Sequence, residues 1–217
     1  MLIVCQLALH AQERALDSLK AVFQKTTVDS LRSDLANEIG QMYYEQGNYP
    51  EAINYYNQAL DLSQRSNYGK GIAGSYNNLG MVKEVQGNYT EAINNLFSSL
   101  KGWEAIHDQE HVAATYINIA IIYMDEKNYT DALININKAL ILCKNSGNKA
   151  YMGYTYNIRA LIYYFQERYT ESLAQHFLAL EIRKNSGDKS SLADTYSNIG
   201  VVYYDLGTEL RKKGKTD

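Results

Sequence analysis

The strongest constraint on the fold of this chain is a sequence block that recurs every 40 residues. GNYPEAI at 47–53 returns as GNYTEAI at 87–93, as KNYTDAL at 127–133 and as ERYTESL at 167–173. A period of this length is typical of arrays in which each unit packs on the next one. The chain is therefore expected to consist of similar structural units in series.

A second block keeps the same step and precedes the first block in each repeat. Its copies are YNNLG at 76–80, YINIA at 116–120, YNIRA at 156–160, YSNIG at 196–200 and a degenerate ANEIG at 36–40. Because both blocks carry apolar residues at helical spacing, each repeat predicts two helices. In the second repeat these helices are expected over about 72–86 and about 90–106.

The scarcity of turn-forming residues agrees with helices joined by short loops. The chain has 1 Pro and 14 Gly, which disfavours an all-β sandwich or barrel with its many tight turns. Gly87 and Asn88 are expected to form the turn inside the second repeat. Pro50 is expected in the first turn of its helix, where its missing N–H costs nothing.

This pattern resembles the tetratricopeptide repeat. The family signature is clearest in the third repeat, at Tyr116, Ile119, Ala120, Tyr123, Tyr129, Ala132, Ile136 and Ala139. Lys83 in place of a tyrosine and Arg159 in place of a leucine depart from it, and the repeat is longer than the usual ~34 residues. The resemblance covers about 28–206 and implies an all-α fold. The implied fold is an α-solenoid, a right-handed superhelix of antiparallel helix pairs.

The repeat step also predicts the organisation of the chain. The expected segments are a capping helix at 12–27, full repeats at 28–67, 68–107, 108–147 and 148–187, a half repeat at 188–206 and a basic, solvated tail at 207–217. The apolar face of the half repeat has no second helix to cover it. We expect either a second subunit on this face, making a homo-oligomer, or a longer protein to which the chain belongs.

The first eleven residues, 1–11, resemble a secretory signal peptide, with an apolar stretch over 2–9 and a cleavage site after Ala11. They lack the basic start of such a peptide. This pattern slightly favours a periplasmic or exported protein over a cytoplasmic one, the alternative interpretation being an apolar first helix. No apolar run approaches the ~20 residues of a membrane span.

Charge and cysteine usage exclude further classes. A net charge of -3 and a pI of about 5.8 give no basic face for nucleic acid. Neither Cys5 nor Cys143 belongs to a zinc or redox pattern. Cys143 lies in an apolar stretch and is expected to pack as a small hydrophobic residue.

The tetratricopeptide resemblance implies that the first helices of the repeats line a concave groove, and the helical wheel indicates which residues point into it. These positions lie opposite the packing face and include no Lys or Arg. The residues predicted to bind a peptide or partner are Asn37, Tyr44, Asn77, Asn78, Met81, Glu84, Ile117, Asn118, Ile121, Met124, Asp125, Tyr154, Asn157, Leu161, Tyr164, Phe165, Asn198 and Tyr204.

The composition of this groove predicts the chemistry of its ligand. An apolar, aromatic middle with acidic ends favours an apolar segment with basic flanks. The absence of basic residues argues against a C-terminal carboxylate as ligand. The asparagines have two equally weighted interpretations: a ladder that holds a peptide backbone, or ties between neighbouring helices.

The sequence predicts no catalytic constellation, no cofactor and no metal site. His107 and His111 are four residues apart, but they fall where the sister repeats have a loop composition and no third ligand lies nearby. His176 is expected to be a packing or surface residue. Tyrosine and asparagine dominate the recurring positions, and neither supplies a general base near pH 7.

The sequence therefore predicts a non-enzymatic interaction scaffold that binds a peptide or partner protein in the groove. The alternative is a sensory input domain of a larger bacterial signalling protein such as a histidine kinase, since similar repeats occur there. Twelve of the 20 tyrosines fall at three recurring packing positions. The informative minority, which the helical register turns into the groove, is Tyr44, Tyr154, Tyr164 and Tyr204.

Overall fold

The computed structural model describes residues 2–214, with side chains from Gln12 onward. Over this part of the chain the secondary structure is entirely α-helical, in ten helices. In chain order they are α1 (Leu2–Lys25), α2 (Asp29–Glu45), α3 (Tyr49–Arg65), α4 (Gly69–Val85), α5 (Tyr89–Ala105), α6 (Gln109–Asp125), α7 (Tyr129–Ser146), α8 (Lys149–Phe165), α9 (Tyr169–Lys184) and α10 (Lys189–Lys213).

The helices fall into two compact units, Met1–Asp108 and Gln109–Asp217. In the first unit α2 packs on α3 and α4 packs on α5, while α2 and α4 lie side by side. In the second unit α6 packs on α7 and α8 on α9, α6 lies beside α8, and α10 packs on α9. Each unit therefore contains two helix pairs whose first helices are neighbours, together with one further helix, α1 in the first unit and α10 in the second.

A short turn joins the two helices of each pair and reverses the chain. The turn begins with a residue in the left-handed region, Gly47 at φ 74° and Gly87 at φ 76° in the first unit. Lys127 and Glu167 take the same position in the second unit at φ 60° and 59°, although this conformation disfavours a side chain. Asn128 then caps α7 by accepting a hydrogen bond from the backbone N–H of Asp131.

The core of the first unit lies between paired helices. Tyr56 is fully buried, and a Cβ built on Gly40 would lie 2.6 Å from its ring, so α2 and α3 approach too closely for any larger residue. Gly80 and Leu96 repeat this contact between α4 and α5, at 3.0 Å. Pro50 lies in the first turn of α3, as predicted.

The core of the second unit is built by the equivalent positions of the next repeats. Ile136 and Ala132 on α7 pack with Ala120 on α6 and with Ile158 on α8. Cys143 is 1% exposed and packs as a small apolar residue, as predicted, and burial raises the pKa of its thiol.

Both ends of the described chain differ from the sequence-based expectation. Helix α10 continues to Lys213 instead of ending near Leu206, because the glycine at 207 is followed by the good helix formers Glu209 to Lys212. Helix α1 begins at Leu2, whereas the capping helix was expected from residue 12. The side chains of the signal-like segment 1–11, and the last tail residues 215–217, lie outside the described residues.

Two tyrosines at recurring packing positions are exposed in α10. Tyr196 and Tyr203 are 50% and 53% exposed, on the apolar face of the half repeat that was expected to lack a covering second helix. No second helix follows α10 among the described residues to cover them. Over the same residues, none of the helices is both long and apolar enough to cross a membrane.

Candidate peptide-binding faces

The predicted groove residues fall on two surfaces, one in each unit. We call the set on α2 and α4 the first-unit face, and the set on α6, α8 and α10 the second-unit face. The first-unit face comprises Asn37, Tyr44, Asn77, Asn78, Met81 and Glu84. The second-unit face comprises Asn118, Ile121, Met124, Asp125, Tyr154, Leu161, Tyr164, Phe165, Asn198 and Tyr204.

The first-unit face is shallow and mostly half-buried. Tyr44 packs against Tyr49 with ring centroids 5.8 Å apart, and it lines a small depression together with Met81 and Asn78. Burial, with the Glu84 carboxylate as a second cause, raises the pKa of the Tyr44 hydroxyl. This hydroxyl therefore stays protonated at neutral pH and can donate a hydrogen bond.

Four of the predicted groove asparagines tie neighbouring first helices together, whereas the Asn77 amide donates to Met81 of its own helix. In the first unit the Asn78 amide donates to Asn37 Oδ1 over 3.2 Å, and the Asn37 amide donates to Ser75 Oγ over 3.1 Å. In the second unit the Asn198 amide donates to Asn157 Oδ1, also over 3.2 Å. These bonds join α2 to α4 and α8 to α10. Of the two interpretations of these asparagines, the contacts support the tie between helices at these pairs.

The second-unit face is the more exposed and the more aromatic. Tyr154, Phe165 and Tyr204 are 41%, 51% and 70% exposed. Phe165 leans on Tyr164 with ring centroids 5.4 Å apart, and Leu161 lies half-buried one turn before it. Exposed aromatic groups on adjacent helices form the kind of surface that binds partners.

Tyr164 anchors this surface to α10. Its hydroxyl donates to Asp205 Oδ2 over 2.6 Å, and this hydrogen bond together with burial raises the pKa of Tyr164 to about 12. The bond fixes the ring that supports Phe165. Asp205 and the exposed Asp125 give the face acidic groups, and partial burial of its carboxyl raises the pKa of Asp125.

Two residues predicted to lie in the groove are instead part of helix contacts. Ile117 is 1% exposed and packs in the core with Ile158 of the neighbouring first helix. Asn157 is 8% exposed and accepts the bond from Asn198. The helical wheel of one isolated helix cannot show this, because the burial comes from the first helix of the next repeat.

His107 lies in the turn after α5, four residues before His111, and its backbone conformation accounts for its position there. His107 has φ 58°, and it stands at the position that Gly147 and Gly187 occupy at the ends of α7 and α9 with φ 70° and 75°. It is thus a left-handed residue after α5, while His111 lies on α6. No group of three or more His, Cys, Asp or Glu that could hold a metal ion occurs among the described side chains.

The fourth repeat contains buried polar atoms that were not predicted from the sequence. His176 is 0% exposed and neither ring nitrogen has a hydrogen-bond partner among the described residues. Arg159 Nε, Ser172 Oγ and Gln175 Oε1 are also buried without a partner in this part of the chain. The 40-residue step does indicate that His176 is buried, because it aligns His176 with the apolar Ile136 and Leu96.

This structure is that of a repeat protein, built from helix–turn–helix units whose first helices form exposed faces. The sequence matches the tetratricopeptide repeat family over residues 31–105, 71–145 and 111–176. The chain belongs to this family, and its fold is the all-α solenoid type predicted from the repeat. A search of curated protein sequences gives no match.

Solved structures show the same fold at low sequence identity. BtubC from P. vanneervenii is 20% identical with a TM-score of 0.76, over 91% of this chain and 82% of that one. A signal transduction ATPase with a tetratricopeptide repeat sensor, from Pyrococcus horikoshii, is 18% identical with a TM-score of 0.80, over 93% and 31%. Aspartyl phosphate phosphatase F from Bacillus subtilis is 14% identical with a TM-score of 0.77, over 92% and 58%. The chain thus spans less than two thirds of the last two proteins. These likenesses show the fold, and the repeat family fits a protein-interaction scaffold.

Proposed function

We propose that this protein binds an apolar peptide segment with basic flanks on the second-unit face. The observation that carries the proposal is the exposure of Phe165, Tyr154 and Tyr204 on neighbouring first helices. Burial of such side chains against a ligand gains about 25 cal/mol per Å² of apolar surface. Tyr164, held by Asp205, gives Phe165 a fixed support, so little side-chain entropy is lost on binding.

Two carboxylates of this face support a basic flank on the ligand, whereas Arg211 and Lys212 line a depression next to Tyr204. Asp125 lies at the end of α6, and Asp205 lies on α10 beside Tyr164. Carboxylates at the rim of an apolar surface favour cationic partners and increase the association rate. Asn198 uses its amide N–H for Asn157, and its Oδ1 can accept a bond from a peptide N–H.

The test is binding of a peptide panel to the full chain. The peptides share an apolar centre and differ only in carrying lysine or aspartate flanks. We expect lysine-flanked peptides to bind at least about tenfold more tightly. Equal affinity for both flanks would contradict the charge argument, and no binding of any peptide would contradict the apolar face.

A double variant tests the location of the site. Met124→Glu with Phe165→Glu puts two carboxylates on the apolar surface, and we expect binding of the lysine-flanked peptide to be lost. Phe177→Glu is the matched control, because Phe177 is equally exposed, at 46%, but lies on the second helix α9. Unchanged affinity in the double variant would refute this face.

A second candidate function is a sensory input domain of a longer signalling protein. The observation that favours it is the likeness to the tetratricopeptide repeat sensor of the Pyrococcus horikoshii ATPase, of which the chain spans 31%. In that case a ligand on the second-unit face would change the activity of an output domain. Sequencing of the gene on both sides of the coding segment decides whether such a domain is present.

We propose no catalytic role for these residues, although one solved structure of this fold is a phosphatase. Apart from the carboxylates of Asp125 and Asp205, the second of which accepts the hydrogen bond of Tyr164, the second-unit face offers tyrosine hydroxyls and asparagine amides, which are weak general bases near pH 7. Burial lowers the pKa of His176 to about 4 and removes the imidazole from any substrate. Purified protein is expected to release no phosphate from a phosphoaspartyl substrate, and measurable release would contradict this.

A further inference from the structure

The first helices of this protein carry a packing stripe for a second helix, and the stripe of α10 is open. In the first two repeats the stripe carries Gly40 or Gly80, and a Cβ built on that glycine would lie only 2.6 or 3.0 Å from a side chain of the paired helix. Gly200 is the equivalent residue on α10. A Cβ built there would meet nothing within 4 Å in the described chain, and the same holds at Gly207.

The open stripe is long and continuous. Tyr196, Tyr203 and Leu210 are 50%, 53% and 60% exposed and follow one another at intervals of seven residues, which is two helical turns. Gly200 and Gly207 lie between them on the same side of the helix. The stripe therefore extends about 21 Å along α10. The neighbouring side of α10 is already used, because Ile199, Val202 and Leu206 pack on α9.

We propose that α10 pairs with α10 of a second copy of this chain, antiparallel and across a two-fold axis. The stripe is nearly symmetric about a point between Tyr203 and Tyr204. Reversal of the helix about this point places Gly200 opposite Gly207, Tyr203 opposite Tyr204 and Tyr196 opposite Arg211. A surface that matches its own reversal is what a two-fold contact between identical chains needs. The two glycines let the helix backbones approach closely.

Charge favours the antiparallel direction. Two of the three tyrosines equivalent to Tyr196 are covered by a cation from another helix: Lys138 lies 5.0 Å from the Tyr116 ring and Lys144 lies 5.8 Å from the Tyr156 ring. In the antiparallel pair, Arg211 of one copy reaches the exposed Tyr196 ring of the other, which provides the same cation–π contact. A parallel pair would instead bring the two basic ends of α10 together.

The expected interaction is weak but measurable. One helix-on-helix contact is smaller than the ~1,600 Å² of a standard interface, so we expect a dissociation constant in the micromolar range. In sedimentation equilibrium of the full chain, the mass should rise from 24.6 kDa towards twice this value as the concentration increases. A constant mass of one chain up to about 1 mM, far above that range, would overturn the proposal.

Gly200→Leu provides a variant that blocks the contact without disturbing the fold. Position 200 faces open space, and leucine is a better helix former than glycine. We expect the variant to remain folded and to be monomeric at every concentration. Ser197→Leu is the matched control, because it adds the same side chain at an exposed position outside the stripe. Dimerisation of Gly200→Leu with unchanged affinity would overturn the proposal.

Disulfide trapping tests the direction of the pair. A mixture of Gly200→Cys and Gly207→Cys is expected to form a mixed disulfide dimer rapidly under mild oxidation, because these positions are opposite each other. Gly200→Cys alone should cross-link much more slowly, since cysteines whose Cα atoms are more than about 7 Å apart cannot be bridged. Faster cross-linking of Gly200→Cys alone than of the mixture would indicate a parallel pair and contradict the proposed arrangement.

Discussion

The third and fourth repeats lie in the same unit and have the same helix pattern, but their cores differ in polarity. Ile119, Ala132 and Ile136 of the third repeat are all 0% exposed and apolar. The residues 40 positions later are Arg159, Ser172 and His176. The third repeat is therefore held by close apolar packing, whereas the fourth keeps the same helices around buried polar atoms. The repeat register therefore determines where a side chain lies, but not how much that side chain stabilises the fold.

The cost of the polar core is concentrated at His176. Its imidazole is completely buried, with no hydrogen-bond partner for either nitrogen among the described residues. Burial of an unpaired polar group costs about 1–3 kcal/mol in proteins. Burial first, and the positive charge of Arg183 second, lower the pKa of His176 to about 4, so the ring is neutral in the folded protein.

The largest expected effect comes from transfer of this histidine into the third repeat. Ile136→His removes a fully buried apolar side chain and adds two unpaired nitrogens. We expect a loss of about 3–5 kcal/mol in the free energy of unfolding, measured by urea denaturation. Ile134→His on the same helix is the control, since Ile134 is 47% exposed and its loss should stay within about 0.5 kcal/mol. A loss below about 1 kcal/mol for Ile136→His would contradict the expected cost of burying unpaired polar atoms in the apolar core of the third repeat.

The second-largest expected effect is a loss of folding stability in acid through His176. The unfolded chain binds a proton at His176 with a pKa near 6.5, but the folded chain does so only near 4. Between pH 4 and pH 6.5 the unfolded state therefore binds more protons than the folded state. The contribution of neutral His176 to the free energy of unfolding is fully present above pH 6.5 and decreases as the pH falls. We expect this loss to reach about 3 kcal/mol near pH 4.

His176→Leu separates this effect from the titration of carboxyl groups. The variant should be more stable than the parent, and the difference between the two proteins should grow as the pH falls from 7 to about 4. Amide hydrogen exchange should locate the acid-sensitive opening in α8 and α9 and not in α6 and α7. His111→Leu is the control, because it replaces an exposed histidine. A pH-independent difference between His176→Leu and the parent would contradict the prediction.

Much of the fold could be predicted from the sequence because the repeat fixes it locally. The helices of the second repeat were predicted within about three residues, and the main difference is at the start of α4. The pattern there, glycine at 69 and 71, resembles a loop. In the structure Gly71 is helical, and a Cβ at this position would lie 2.1 Å from Ser63 Oγ of the preceding helix. The glycine is present for a close approach and not for a turn.

The candidate site could be predicted only in part. Exposure of Tyr154, Phe165 and Tyr204 follows from the periodicity of single helices, which the sequence contains. Burial of Ile117 and Asn157 depends on the first helix of the next repeat, about 40 residues away in the chain. Contacts of this kind require the position of one helix relative to another. The pattern of a single helix does not include this information.

The smallest expected effect concerns Ser172, which stands where the third repeat has Ala132. Its Oγ is buried without a partner in the described structure. Ser172→Ala removes one unpaired hydroxyl and leaves the packing unchanged, so we expect a gain of about 1 kcal/mol in the free energy of unfolding. The reverse change, Ala132→Ser, should cost a similar amount, because it transfers the same hydroxyl into the apolar core. If Ser172→Ala is neutral while Ala132→Ser is destabilising, the fourth repeat must satisfy this hydroxyl with solvent. The cost of burying unpaired polar atoms in this repeat would then be carried by His176, Arg159 and Gln175.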